Sequence, residues 1–121
     1  NVILWILQCL LAVVFTYSGY AKSTKTEKEL MALGQTGVER LKPALIKFIG
    51  ISELLGVGGI ILPWLFKITP VLTPITASCF CLIMTFAAII HFRRKEYKTA
   101  FGNVLIFLAS LSVAINRFQE I

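Results

Sequence analysis

The feature that most constrains this chain is a set of long apolar segments separated by short charged links. The segments Val2–Ala21 and Thr99–Asn116 contain no charged residue. Between Ile68 and Phe92, His91 is the only side chain that gains a positive charge near neutral pH. Uncharged apolar runs of about 20 residues are typical of transmembrane helices, because that length crosses the hydrocarbon core of a bilayer. The sequence therefore predicts a protein whose main partner is the lipid bilayer.

The spacing of these segments predicts an all-α integral membrane protein with a single domain, residues 1–121. We expect an antiparallel bundle of four transmembrane helices, with spans at about 2–21, 44–66, 70–92 and 99–116. The link 93–98 is so short that the third and fourth helices must be antiparallel neighbours. The longest link, 22–42, is expected to hold a short interfacial helix, because Thr26 and Glu29 form a capping-box pattern.

The charges are few and are concentrated in the links. The chain is 57% hydrophobic and 15% charged, with a net charge of +6. No basic patch is interleaved with stacking aromatic residues, so nucleic acid is not an expected partner. The links 22–42 and 93–98 carry nine Lys and Arg residues, whereas Lys67 and Arg117 are alone on the other side. The positive-inside rule then makes both basic links cytoplasmic and leaves both termini outside. Arg117 is expected to end the last helix in water, and Trp64 to lie at the far membrane interface.

Small and weakly polar residues recur at spacings of three and four on one face of each predicted span. Such faces let transmembrane helices approach each other closely. The residues expected to pack the helices together are Gly19, Ser52, Gly56, Gly59, Ala77, Cys81, Ala88 and Ser110. Cys79 and Cys81 point to nearly opposite sides of one helix, and the chain has a single histidine. The sequence therefore predicts neither a disulfide nor a metal site.

Glu53 is the most informative single residue, because it lies inside an apolar span. Its distance from Pro43 is roughly 15 Å by helical rise, which places it near the bilayer midplane. An acid at that depth costs about 2.5 kcal/mol or more, so it should face the bundle interior and have a partner. His91, Asn103 and Lys22 are expected on the same side of the bundle. These four side chains are the candidates for a polar pocket that binds a ligand or carries protons. No catalytic residue is assigned.

Each candidate also has a structural interpretation that the sequence leaves open. A protonated Glu53 can join two helices through a hydrogen bond. His91 can be a simple interfacial residue, and Asn103 can donate a hydrogen bond to a neighbouring helix. Lys22 is expected by default to extend its ammonium group to the membrane surface.

Three segments carry a resemblance to a known family: YSGYAK (Tyr17 to Lys22), FIGISELLGVGGIILP (Phe48 to Pro63) and HFRRKEYKTAFGNVLIFLA (His91 to Ala109). Together they resemble the DoxX-like family of small bacterial membrane proteins. The resemblance implies a four-helix protein of the bacterial cytoplasmic membrane. Some relatives are linked to quinone-dependent oxidation or redox stress, and others act as accessory or assembly factors. The family therefore constrains the fold more than the activity.

Three functions follow as hypotheses, and whether the protein is an enzyme stays open. The first is a quinone- or lipid-binding accessory of membrane redox or redox-stress processes, with no covalently bound cofactor and a quinone as the expected ligand. The second is a non-enzymatic scaffold or assembly factor for other membrane proteins. The third is a small proton-linked carrier, which would need several copies of the chain, since no inverted repeat is visible. Other membrane or redox proteins and further copies of the chain are the expected protein partners.

Overall fold

The computed structural model describes all residues from 1 to 121 and is built from helices alone. The five α-helices are α1 (Val2–Thr24), α2 (Glu27–Ala32), α3 (Pro43–Phe66), α4 (Leu72–Arg93) and α5 (Tyr97–Gln119), with a short 3-10 helix, Thr36–Val38, before α3. The long helices α1, α3, α4 and α5 are each long and apolar enough to cross a membrane. The predicted all-α fold with four candidate membrane spans is confirmed.

The four long helices run close to the predicted spans, with differences at their ends. Helix α5 extends by about half a turn at both ends beyond the uncharged run, because its flanking polar residues continue the helix. Helix α4 begins at Leu72, since Lys67 and Thr69 adopt left-handed backbone angles with φ of 57° and 47°. These two residues end α3 and reverse the chain. Link 22–42 contains the expected capping box, in which the Thr26 hydroxyl and the Glu29 carboxylate satisfy each other's backbone amides at the start of α2.

The long helices form a ring in which α1 packs on α3, α3 on α4, α4 on α5 and α5 on α1. The rings of Phe15 on α1 and Phe80 on α4 stack across the centre, with centroids 3.8 Å apart. They belong to a buried apolar cluster whose members are Leu11, Phe15, Ile60, Ala77, Phe80, Met84, Val113 and Ala114. Large apolar residues also cover the outside, where Leu55 is 74% exposed. An apolar exterior around a small packed interior suits a bundle surrounded by lipid.

Helices α1 and α3 approach each other closely at Gly19 and Gly50. A β-carbon added to Gly50 would lie 2.8 Å from the carbonyl oxygen of Gly19 and 2.8 Å from the amide nitrogen of Ser23. These are backbone atoms, so a change of side-chain rotamer cannot relieve the clash. Gly19 therefore packs against Gly50 of α3. The sequence patterns did not identify Gly50 as a packing residue.

Most of the expected packing residues lie against neighbouring helices. Gly56 and Gly59 face Phe80 and Thr76 of α4, so that a β-carbon at either position would clash with those side chains. Ala77 and Ser110 are fully buried. Two further residues of this set, Cys81 and Ala88, are half-buried.

Ser52 departs from the expected packing pattern. It is exposed, and its hydroxyl donates to the Phe48 carbonyl of its own helix. Ser52 lies two residues from Gly50, which is about 200° around the helix, so it points away from α1. Its assignment to a helix–helix contact was wrong for this bundle.

Arg117, near the end of α5, is fully buried, so the expectation that it lies in water was wrong. Its Nε donates to Gln8 Oε1 at 2.8 Å, and Gln8 Nε2 donates to the Ile60 carbonyl at 2.7 Å. Its guanidinium carbon lies 4.4 Å from the centroid of the Trp64 ring. Trp64 is buried as well, with its ring packed against Arg117 at this end of the bundle. These contacts join α1, α3 and α5 at the end of the bundle away from the basic links.

The crossing of α1 and α3 should be sensitive to a single methyl group. We expect Gly50→Ala to destabilise the folded protein by about 1–3 kcal/mol, because the new β-carbon overlaps backbone atoms of α1. Gly102→Ala is the matched control, since nothing lies within 4 Å of a β-carbon built at Gly102 in α5. Thermal unfolding in detergent should show a lower Tm for Gly50→Ala and an unchanged or slightly higher Tm for Gly102→Ala. Equal Tm values for the two variants would contradict the close crossing.

Candidate functional site

The close crossing of α1 and α3 brings Lys22 against Glu53. Glu53 is 1% exposed, and Lys22 Nζ lies 3.2 and 3.3 Å from its two carboxylate oxygens. The Ser18 hydroxyl donates to Glu53 Oε1 at 3.0 Å. Two donors from one helix therefore satisfy an acid on the next, which offsets the cost of burying its charge.

Lys22 turns into the bundle, which overturns its default placement at the membrane surface. Its β-carbon lies beside Gly50, where an added methyl group would approach it to 2.8 Å. Because the helix backbones are so close here, the four-carbon side chain of Lys22 spans the short gap to Glu53. The attraction of the buried carboxylate holds the ammonium group inside.

The contacts of Glu53 with α1 give its position along the bundle axis, and this position differs from the midplane depth obtained by counting residues along α3. Ser18 and Lys22, its two donors, precede the last residue of α1, Thr24, by six and two positions. At 1.5 Å per residue, Glu53 is therefore level with a part of α1 that lies roughly 3–9 Å from the end of that helix. The ion pair occupies the half of the bundle nearer the basic links.

The four predicted site residues line one cavity of about 430 Å³. Lys22 comes from α1, Glu53 from α3, His91 from α4 and Asn103 from α5, so each long helix contributes one of them. Much of the remaining wall is apolar, including Phe15 at the centre of the bundle. The cavity lies under the link that connects α2 to α3. Its volume falls within the range of about 300–1,000 Å³ that is usual for small-molecule sites.

Asn103 has an amide nitrogen, Nδ2, that is buried and has no hydrogen-bond partner. The structural interpretation was that Asn103 donates a hydrogen bond to a neighbouring helix, and Nδ2 makes no such bond. Leaving a buried amide donor unpaired costs about 1–3 kcal/mol. A donor of this kind in a cavity wall is suited to a ligand that carries an acceptor such as a carbonyl oxygen.

His91 is buried at the end of α4, beside the cavity mouth. Its Nδ1 lies 3.2 Å from Thr36 Oγ1 and 2.7 Å from Glu96 Oε1. The Thr36 hydroxyl donates to the same Glu96 oxygen at 2.7 Å. This triad fixes the 3-10 helix of the first link against the start of α5. His91 is thus a buried member of a hydrogen-bonded group and more than an interfacial residue.

The charge of Glu96 is stabilised by this group. Hydrogen bonds from His91 and Thr36, together with the nearby charge of Arg94, hold the pKa of Glu96 below its usual value. Arg94 also donates to Glu39 at 2.7 Å, which ties the third link to the first. The cover of the cavity is therefore held in place by charged contacts between the two basic links.

Ser18, Thr36 and Glu96 take part in the site but were not among the sequence candidates. Ser18 stands four residues before Lys22, so a helical pattern places both on one face, and that signal could have found it. Thr36 and Glu96 lie in the two links, where no periodicity relates them. Their pairing comes from the way the links fold over the end of the bundle.

The model of the DoxX-like family matches residues 6–114 of the chain. The chain belongs to the DoxX-like family. The matched region contains all four candidates that line the cavity, and it ends before Arg117. No curated protein and no solved structure is significantly similar to the chain. Family membership and four spanning helices together make this DoxX-like chain a multi-pass membrane protein.

The hydrogen bonds of Glu96 with His91 and Thr36 predict that the folded protein becomes less stable in acid. The contribution of Glu96 is fully present above its usual pKa of 4.5 and is lost as the pH falls through the lowered pKa of the folded state. We expect the Tm in detergent to decrease as the pH is lowered from about 6 to about 3. Glu96→Leu should lower the Tm at neutral pH and show a shallower decrease in acid. Parallel curves for wild type and variant would contradict the role of Glu96.

Proposed function

We propose that this DoxX-like protein is a quinone- or lipid-binding accessory of membrane redox or redox-stress processes in the bacterial cytoplasmic membrane. The observation that carries the proposal is the unpaired Asn103 amide in a cavity that also holds the Glu53–Lys22 pair. A cavity with an apolar wall and a few convergent polar groups is the usual form of a small-molecule site.

The chemistry of the cavity suits a flat ligand with two carbonyl groups. Asn103 offers a free donor on α5, and the Lys22 ammonium on α1 has three N–H groups, of which two are directed to Glu53. The ring of such a ligand would lie against apolar wall residues such as Phe15 and Ile106. A quinone has this pattern of two acceptors on an apolar ring, and its isoprenoid tail would leave toward the lipid. The ester carbonyls of a lipid offer the same acceptors to the same donors.

Glu53 and His91 supply groups that exchange protons near such a ligand. Reduction of a quinone takes up two electrons and two protons, and the electrons would come from a redox protein that docks on the bundle. Glu53 would donate or accept a proton at the quinone oxygen, with Lys22 balancing its charge. His91 lines the cavity and bonds to Glu96 of the link 93–98, and this pair would give protons a path on that side.

A scaffold function is the alternative that a separate observation favours. An open apolar groove of about 490 Å³ runs along α4 and α5, with Ala88, Phe92, Tyr97 and Phe101 in its wall. A partner helix or a second copy of the chain could pack there. A proton-linked carrier is the third hypothesis, and it would require the Lys22–Glu53 pair to open during transport.

The ligand test is extraction of the purified protein with organic solvent, followed by mass spectrometry for quinones and other lipids. We expect stoichiometric quinone with the wild type and a loss of tenfold or more with Asn103→Leu, because one buried hydrogen bond is removed. Glu53→Gln should reduce the bound quinone as well. Asn116→Leu is the matched control, since Asn116 is exposed on the same helix and bonds the Ser112 carbonyl.

The outcome separates the three hypotheses. Bulk lipid alone in every sample, at equal Tm, would reject quinone binding and favour the scaffold, which a pull-down of membrane partners would then examine. Uptake into proteoliposomes that requires a pH gradient and is lost in Glu53→Gln would favour the carrier.

We also propose that the links 22–42 and 93–98 face the cytoplasm and that both termini lie outside. The nine basic residues of these links against two on the other side support this orientation. In a variant without native cysteines, Lys95→Cys should react with a membrane-impermeant maleimide only after the cells are opened. Lys67→Cys should react in intact cells. The reverse pattern would contradict the proposed orientation.

A further inference from the structure

A second polar cavity lies at the opposite end of the bundle, away from Glu53. Its volume is about 460 Å³, and its wall includes Asn1, Trp5, Trp64, Lys67, Arg117 and Glu120. It is formed where the start of α1, the end of α3 and the end of α5 meet. The quinone pocket proposed above makes no use of these residues.

Arg117 keeps part of its hydrogen-bonding capacity unused in this cavity. Its Nε donates to Gln8, and its Nη1 donates to Asn1 Oδ1 at 2.7 Å and to Glu120 Oε2 at 2.6 Å. The remaining nitrogen, Nη2, is buried and has no partner. A guanidinium carries five N–H groups in a planar fork that matches the oxygens of a phosphate or carboxylate. The buried Arg117 guanidinium can therefore donate a further hydrogen bond from Nη2 to an oxygen acceptor.

The charges around the cavity favour an anion. Arg117 and Lys67 both lie over the Trp64 ring, at 4.4 and 4.3 Å from its centroid. Glu120 is the only carboxylate in the wall, and its side chain is 41% exposed. Two cations and one carboxylate leave a net positive charge. Glu120 directly follows α5 and is three residues from Arg117, so it is an exposed partner within the chain with which an external anion can compete.

We propose that this cavity is a phosphate-binding site. Arg117 supplies the buried fork, Lys67 supplies a second positive charge at the rim, and Glu120 holds the place of a phosphate oxygen in this structure. The phosphate comes either from a phospholipid head group of that leaflet or from solution. The apolar Trp5, Trp64 and Leu65 in the wall favour the head group, since tryptophans line membrane interfaces beside lipid phosphates.

The contacts of Arg117 within the chain also stabilise the fold, so variants of Arg117 are a poor test. Lys67 and Glu120 are exposed, and Glu120→Gln keeps a hydrogen-bond acceptor for Arg117. Lys67 has a left-handed backbone with φ of 57°, and Lys95, at the other end of the bundle, is exposed with φ of 63°. Asparagine tolerates this conformation. Lys67→Asn and Lys95→Asn are therefore a matched pair that remove the same charge from opposite ends.

The test uses the two tryptophans of the chain, Trp5 and Trp64, because both lie in the cavity wall. Protein in neutral maltoside micelles is titrated with phosphatidylglycerol, with phosphatidylcholine and with inorganic phosphate, and tryptophan emission gives the apparent Kd. Native mass spectrometry counts the bound molecules in parallel. Phosphatidylcholine controls for lipid insertion, because it is zwitterionic and its choline cation offsets the charge of its phosphate.

We expect phosphatidylglycerol to bind saturably, Lys67→Asn to raise its Kd about fivefold, and Lys95→Asn to leave it unchanged. Glu120→Gln should lower the Kd about fivefold, because the competing carboxylate is removed. If the variants show this order of Kd values with inorganic phosphate and do not bind phosphatidylglycerol, the result would support the site with free phosphate as its ligand. Equal Kd values and equal bound counts for Lys67→Asn and Lys95→Asn would overturn the proposal, and so would a Glu120→Gln variant that binds no more tightly than the wild type.

Discussion

The contact between the backbones of α1 and α3 is the constraint on which the rest of this bundle depends. Glu53 is buried among apolar helices, where a carboxylate without a partner would be strongly unfavourable. Lys22 and Ser18 reach it only because Gly19 and Gly50 have no side chains to keep the helices apart. The close approach of the two backbones therefore allows Lys22 to compensate the charge of Glu53, and the ion pair in turn stabilises the close approach. The cavity forms beside this pair, where α4 and α5 complete the ring.

The long apolar runs were sufficient to predict the spans, because the hydrocarbon thickness dictates helix length whatever the packing. The inward orientation of Glu53 was also predictable, since the cost of exposing an acid to lipid leaves little choice. The meeting of Lys22, Asn103 and His91 with Glu53 at one cavity follows from placing each on the same side of an antiparallel bundle. These predictions depend on large energetic effects that can be evaluated along a single helix, namely hydrocarbon thickness and the cost of a charge in lipid.

The residues that were predicted wrongly are those whose environment depends on distant partners. Arg117 was assigned to water because it follows the last apolar run, yet its partner Gln8 lies 109 positions away in the chain. Lys22 was a site candidate whose default alternative was the membrane surface, and that alternative was wrong because nothing local reveals that Gly50 lies opposite. Ser52 shares its composition with true contact residues but points outward. Single-sequence patterns cannot determine which face of one helix meets which face of another.

The Phe15–Phe80 stack has a consequence for the membrane as an electrical insulator. Polar groups occupy both ends of the bundle, and seven residues of α3, roughly 10 Å, separate Glu53 from Ile60, whose carbonyl accepts the Gln8 hydrogen bond. The stacked rings and the buried apolar side chains around them fill this interval. Water is disfavoured in such a layer, because apolar side chains offer it no hydrogen-bond partners. In this conformation, a proton that reaches Glu53 from the side of the basic links therefore meets about 10 Å of packed apolar side chains before the polar groups at the other end.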